Sequence, residues 1–436
     1  MRINRYPLPL ITAQITALIC SAAVIADTQD EIDAAFGLQQ EGATLTEVRQ
    51  ALAEHPDKDA TGFALSAVDF LLAGEGLLQA AHRHGFLGPF RTVAPMVGER
   101  ASFLQWIANE APEATTARDI HDAISDFVGD LNNAERRLSV IDGDFKCAIN
   151  IHEIRFDINA DGVTTEGESL GALFALLPER MTRWNPEEQR METSPIVPAA
   201  LTVAFDRGDA SWLRGYCHVL MAAGEWALAH DGQELFDRTG HVFFPKAEIP
   251  YGFLPNSTYT LERLTGGAMR TPTPFDITDV LVFFGNMRLP VDEPDRMQSV
   301  LQHLRAAVKL GHAMWEHYDL EEDNDREWIP NPRQTASFSD LTVDQEMHDA
   351  WLLFLDEMDD LLAGRKVLRF WRGDGSKGID VPKLFQEPQE FDLLYWIQGS
   401  AAAPYLREGE FTSPGTWAQL EREFNRQVFR NMFWFN

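Results

Sequence analysis

The chain has 436 residues, 45% of them hydrophobic, 24% charged and 11% aromatic, a globular mixture with ample material for a buried core. Its formal charge of −30 at pH 7 repels phosphate backbones and anionic lipid headgroups, which argues against a nucleic-acid partner. There is no low-complexity tract and no convincing fixed-period repeat, so neither a long disordered chain nor a solenoid is expected.

The first 26 residues read as an export signal. Arg2 and Arg5 form a short basic start, Leu8 to Ile25 is largely apolar, and Val24-Ile25-Ala26 offers a small-residue cleavage site before Asp27. Residues 8–26 just reach the length that crosses a bilayer, but Gln14 and the small-residue end favour cleavage. No stable membrane insertion is expected afterwards, and the mature protein is expected to be periplasmic or secreted. Maturation removes two arginines and no acid, taking the formal charge from −30 to −32. It leaves Cys147 and Cys217, which fit either one disulfide or two separate buried thiols.

Residues 29–54 read as two helical pieces. Ile32 and Phe36 share a face, Gly37 and Gly42 break it, and Leu45, Val48 and Leu52 resume the spacing behind a Thr44 cap. Ala64 to His82 is apolar nearly all round and predicts a buried helix. Further helices are expected over Arg100–Ala108 and Thr116–Leu138, the latter with Ile120, Ile124, Phe127, Val128 and Leu131 on one face. Phe145 to Phe156 fits a strand or a helix, and Ser169 to Leu177 reads as a short helix. Arg180 to Pro198 reads as a loop and a first internal boundary. Asp209 is expected to cap a helix from Ala210 to His230.

Residues 231–275 are punctuated by Gly and Pro and predict short helical pieces or a cover over a cleft. Helices follow at Asp276–Met287 (capped near Thr278), Asp295–Tyr318 and Leu341–Leu362. Val367–Trp371 and Gly378–Val381, around Gly373-Asp374-Gly375, give the clearest hairpin pattern. Phe391–Gln398 and Gly415–Phe435 close the chain as helices, with the aromatic run 429–435 expected to dock on the core. The fold class is therefore mainly α: a large helical domain with a small β-hairpin near the C-terminus. Its parts are the signal peptide 1–26, a helical region 27–178 and a second helical region 198–436, packed as one unit.

The stretch that reads most directly as chemistry is Asp157-Ile158-Asn159-Ala160-Asp161-Gly162-Val163-Thr164-Thr165-Glu166-Gly167-Glu168. Oxygen-bearing side chains stand at positions 1, 3, 5, 9 and 12, with glycine at 6. Over these twelve residues the chain resembles the EF-hand calcium loop. The resemblance implies one calcium ion held by Asp157, Asn159 and Asp161, the Val163 carbonyl, Thr165 directly or through water, and both oxygens of Glu168. Two positions depart from the family: Thr164 replaces the aliphatic residue that pairs with a partner hand, and Glu153 stands upstream where an apolar residue is usual. No partner loop follows, since the acidic run Asp319–Asp325 lacks the glycine and the spacing. An unpaired hand reads as a structural clamp rather than a sensor.

The alternative from another class is an exported hydrolase with dispersed catalytic residues. His312 and Glu316 share a helix face with His317 and His303 nearby, and His218 and Glu225 stand at i, i+7. A two-residue match is common by chance in a chain with 12 His and 67 acids. No nucleophile motif or phosphate loop is present. Trp184, Trp328 and Tyr251 fall in loop-like stretches where they could line a ligand groove. The sequence thus favours a calcium-binding protein with a binding or scaffolding role toward a protein or small-molecule partner it does not name.

Overall fold

A computed structural model describes residues 28–55, 59–86, 109–172, 181–185, 190–194, 201–254, 274–337 and 342–423, and it is mainly α. The signal segment, the 100–108 helix and the aromatic run 429–435 lie outside the described residues.

Helix α1 (28–37) passes through a 3-10 turn, Leu38–Glu41, to Gly42, whose φ of +94° suits glycine alone. Thr44 then starts α2 (Leu45–Ala53) through a capping box with Glu47, so the break and the restart fall where the glycines and Thr44 set them. Helix α3 (Asp59–Arg83) buries Phe63, Ala64, Leu65 and Val68, and packs on α2 and on α4 (Ala117–Leu138). It is long and apolar enough to cross a membrane, but half of that apolar window is buried inside the fold. Thr116 and Asp119 cap α4 reciprocally.

The ambiguous stretch after α4 resolves into strand β1 (Cys147–Asn150) and a 3-10 turn, Ile151–Glu153. The Gln29 side chain acts as a surrogate strand beside β1, donating to the Ala148 carbonyl at 2.8 Å and accepting from its N–H at 2.9 Å. The stretch read as a loop instead contains a hairpin: β2 (Met181–Asn185) pairs antiparallel with β3 (Arg190–Ser194). Strand-forming Met, Thr and Trp residues alternate there with the charged ones that suggested a loop. Strand β4 (Thr202–Phe205) returns to pair with β1, placing Cys147 opposite Phe205.

Helix α5 (Arg207–Leu228) starts one turn earlier than expected. Asp206 is its cap, and Asp209 is the reciprocal member of the capping box. Next come α6 (Gln233–Phe243), α7 (Pro274–Gly285), β5 (Arg288–Leu289), α8 (Pro294–Tyr318) and α9 (Gln345–Leu362). Helix α7 begins at Pro274, four residues before Thr278, so Thr278 is not its cap.

The expected C-terminal hairpin is β6 (Lys366–Arg369) with β7 (Gly378–Ile379), Leu368 facing Ile379. Gly373 and Gly375 supply positive φ in its turn. After α10 (Val381–Gln386), β8 (Phe391–Asp392) pairs with β5, and α11 (Leu393–Gln398) starts from the Asp392 cap. Strands β9 (Leu406–Arg407) and β10 (Glu410–Phe411) complete a four-stranded sheet ordered β10-β6-β7-β9, and α12 (Pro414–Glu423) ends the described chain.

One hydrophobic cluster runs from Ile32 to Leu420 and includes Phe63, Trp315, Tyr318 and Trp351. Helices α5 and α8 form its axis, running antiparallel: Gly208 meets the Tyr318 ring, His218 meets His303, and Glu225 meets Arg296. Trp328 is buried against Phe205 and Trp212, so it is a core residue and lines no groove. Tyr251 is exposed beside Phe253. Cys147 and Cys217 are buried, unbonded thiols, which removes the disulfide option. Burial pushes both up, Cys217 to about 12, which keeps them unreactive.

Helix α5 also lies close to α4. A β-carbon on Gly224 would sit 2.3 Å from Val128 Cγ2, well inside contact distance. Gly224→Ala is expected to cost about 1–3 kcal/mol by overpacking. Adding Val128→Ala should recover part of that loss, read as a non-additive pair of urea midpoints.

Candidate metal centre

The loop is built from successive side-chain-to-backbone turns. The Asp161 N–H donates to Asp157 Oδ1 at 3.0 Å and to Asn159 Oδ1 at 3.1 Å. Gly162 N–H donates to Asp157 Oδ2 at 3.0 Å, and Val163 N–H to Asp161 Oδ1 at 3.0 Å. Gly162 makes the bend with φ +85°. Asp157 is buried, whereas Asn159, Asp161 and Thr165 are exposed. At the far end Glu168 turns back: Oε1 accepts from the Ile158 N–H at 3.3 Å, and Oε2 from the Thr165 N–H and hydroxyl at 3.0 and 2.8 Å. These bonds place the sequence-predicted ligands in two sets: Asp157, Asn159 and Asp161, joined by the Val163 N–H, and Thr165 with Glu168.

Both ends of the loop are fastened to the fold. Before it, the buried Gln39 side chain brackets the Arg155 backbone at 2.8 and 3.1 Å. An Arg155–Ser169 bridge and the Phe156 N–H to Glu168 carbonyl bond close the two ends on each other. Thr164, the atypical position, is buried; its N–H donates to the Gly42 carbonyl and its hydroxyl to the Ala43 carbonyl. The turn between α1 and α2 thus takes up both the backbone and the hydroxyl of Thr164. The segment entering the loop is the 3-10 turn, not an α-helix, and a helix begins only at residue 170.

Helix α3 contributes two residues that sequence spacing did not single out. Gln79 donates to the Asp157 carbonyl at 2.7 Å, and the Glu75 carboxylate accepts the Asp157 N–H at 2.8 Å. Glu75 is 5% exposed. Burial, and then the nearby Asp157 and Glu168 charges, raise its carboxyl to about 7 despite that N–H. An acid inside an otherwise apolar helix was the available signal, because an unpaired buried carboxylate is costly.

A second group of acids is more compact. Asp206, Glu321 and Glu327 have ligand oxygens within 4.8 Å of one another, closer than the acids of the loop, and form the one such group among the described residues. Glu321 is pushed up to about 9, by burial and then by Asp206, and Glu327 is raised chiefly by burial. Buried Asp209 next to them accepts from the Tyr318 hydroxyl at 2.6 Å. The fold carries the Asp319–Asp325 run to the N-terminus of α5, a long-range meeting that loop spacing could not reveal. A shared proton or a cation neutralises such a trio.

Of the candidate hydrolase residues, the fold brings His218 and His303 together and sets His312 and Glu316 apart from them. His218 Nδ1 lies 2.8 Å from His303 Nδ1 and its Nε2 3.7 Å from Glu135, while Glu225 pairs with Arg296 at 2.8 Å. His312 faces Asp356 from further along α8, roughly 13 Å beyond His303 at 1.5 Å per residue, and Glu316 lies one turn past that. No protein-family model matches the chain, and no curated protein and no solved structure is similar to it.

The His218 ring and then Arg214 hold the Glu135 carboxyl down at about 2. A depressed carboxyl stabilises the fold above its unfolded pKa, and that stability is lost as pH falls from about 4.5 through 2. Glu135→Gln is therefore expected to lower stability at pH 6 and to flatten the fall between pH 4.5 and 2, followed by urea midpoints.

Proposed function

We propose that this is an exported protein in which residues 157–168 hold one calcium ion as a structural clamp, within a fold that serves a binding or scaffolding role. The observation that carries the reading is the shared Asp161 N–H, which gathers the Asp157 and Asn159 oxygens on one side of the Gly162 bend. Calcium takes six to eight oxygens in a flexible cage, and an oxygen that accepts one N–H keeps a lone pair for the ion. Glu168 closes the cage by releasing Thr165 and turning both oxygens inward. Burial and the Asp157 and Glu168 charges raise the Glu75 carboxyl to about 7, and a cation in the loop would favour its charged form.

Anchoring supports a clamp over a sensor. Gly42, Gln39, Glu75 and Gln79 tie the loop to α3 and to the turn before α2, leaving no separate pair of helices to open. The basic and then apolar N-terminus with its small-residue end supports export, which mass determination of the mature N-terminus at Asp27 tests directly. The hydrolase reading has less behind it, because among the described residues His312 and Glu316 lie apart from the His218–His303 pair.

Calcium at about 100 times its dissociation constant is expected to stabilise the protein by about 2.7 kcal/mol, seen as a rise in Tm over the chelated sample. Asp157→Ala should abolish that rise. Glu75→Gln should leave the chelated protein at least as stable and weaken calcium binding. No rise in the unmutated protein, or a rise that survives Asp157→Ala in full, contradicts the reading.

A further inference from the structure

Beside the loop, helices α2, α3 and α4 enclose a cleft of about 930 Å³. Asp69 on α3, 7% exposed, stands in its wall between two arginines. Arg49 from α2 donates through Nε to Oδ1 at 2.5 Å, and Arg137 from α4 donates through Nε to Oδ2 at 2.8 Å. One buried carboxylate thus fixes both guanidiniums by their inner N–H. Among the described residues neither makes another hydrogen bond, so the Nη groups of both remain available as donors. Arg136 lines the same cleft, so three cations stand there with Asp69, Glu75, Asp130 and Asp157, and Asp69 already pairs with two of them.

Space is kept open in front of them. Gly76 sits inside α3, where glycine is less favourable than alanine, and a β-carbon there would meet nothing within 4 Å. Two guanidiniums held in place by a shared carboxylate match the flat, multi-oxygen edge of a carboxylate or phosphate. Glu75 beside the loop and Asp130 near Asp69 and Arg49 also line the walls and can accept from hydroxyls of the same molecule.

We propose that this cleft binds a small oxyanion, the carboxylate or phosphate group of a hydroxylated metabolite, through Arg49 and Arg137. The inference is independent of calcium in the loop.

The test is calorimetry on chelated full-length protein, which keeps calcium phosphate from forming, with inorganic phosphate and succinate as separate probes at fixed ionic strength. Saturable binding of either probe is expected, and the one that binds tells phosphate from carboxylate. Arg49→Gln and Arg137→Gln should each weaken it at least tenfold. Gly76→Phe should do the same by filling the cleft with both arginines intact, which keeps the test decisive if an arginine variant fails to fold. Absence of saturable binding by both probes, or equal binding in the unmutated protein and Gly76→Phe, overturns the proposal.

Discussion

A single buried carboxylate joins the two most distinctive parts of this molecule. Glu75 lies on the core helix α3 and holds the Asp157 N–H, and so fixes the first residue of the acidic loop. A buried carboxylate is costly unless it is hydrogen-bonded, neutral or close to a cation. The loop satisfies the first condition with one N–H, then adds Asp157 and Glu168 nearby, which makes the need for positive charge greater. The proposed calcium would meet that need at the place where the chain passes from α3's surface to the second half of the fold.

Helix α3 works as a spine on both sides of that point. Asp69, Leu72, Gly76 and Gln79 recur at i, i+3, i+7 and i+10, a single helical stripe that lines the cleft. One end of the stripe organises arginines and the other end holds the loop. The remaining apolar surface of the helix packs into the main core. The same helix thus carries Asp69, which holds Arg49 and Arg137, and Glu75 with Gln79, which hold the loop.

Local signals were the legible part of the fold. Thr44 and Thr116 marked helix starts because a cap acts within three residues, and Gly42 marked a turn because only its φ fits. The displaced start of α5 shows the limit: Asp206 and Asp209 are both members of one reciprocal box, and the apolar pattern alone does not rank them. The hairpin at 181–194 was hidden by charged residues alternating along its strands. What depends on distant partners was not legible at all. Glu75, the Asp206–Glu321–Glu327 group, the pairing of His218 with His303 and the separation of Cys147 from Cys217 are set by helices meeting in space. The bonds of the Asp157–Val163 turn, two to five residues apart, were legible as local spacing. Its closest support from α3 and Gly42 was not.

The central claim is that a calcium ion fixes the loop and, through it, the turn before α2 and the face of α3. Amide hydrogen exchange of the full-length protein, compared in calcium and in chelator, tests that most directly. The account predicts slower exchange in calcium for peptides covering residues 157–168, with smaller slowing at 42–45 and 75–79 and none in the β6–β7 hairpin. Identical exchange across the loop in the two conditions contradicts it.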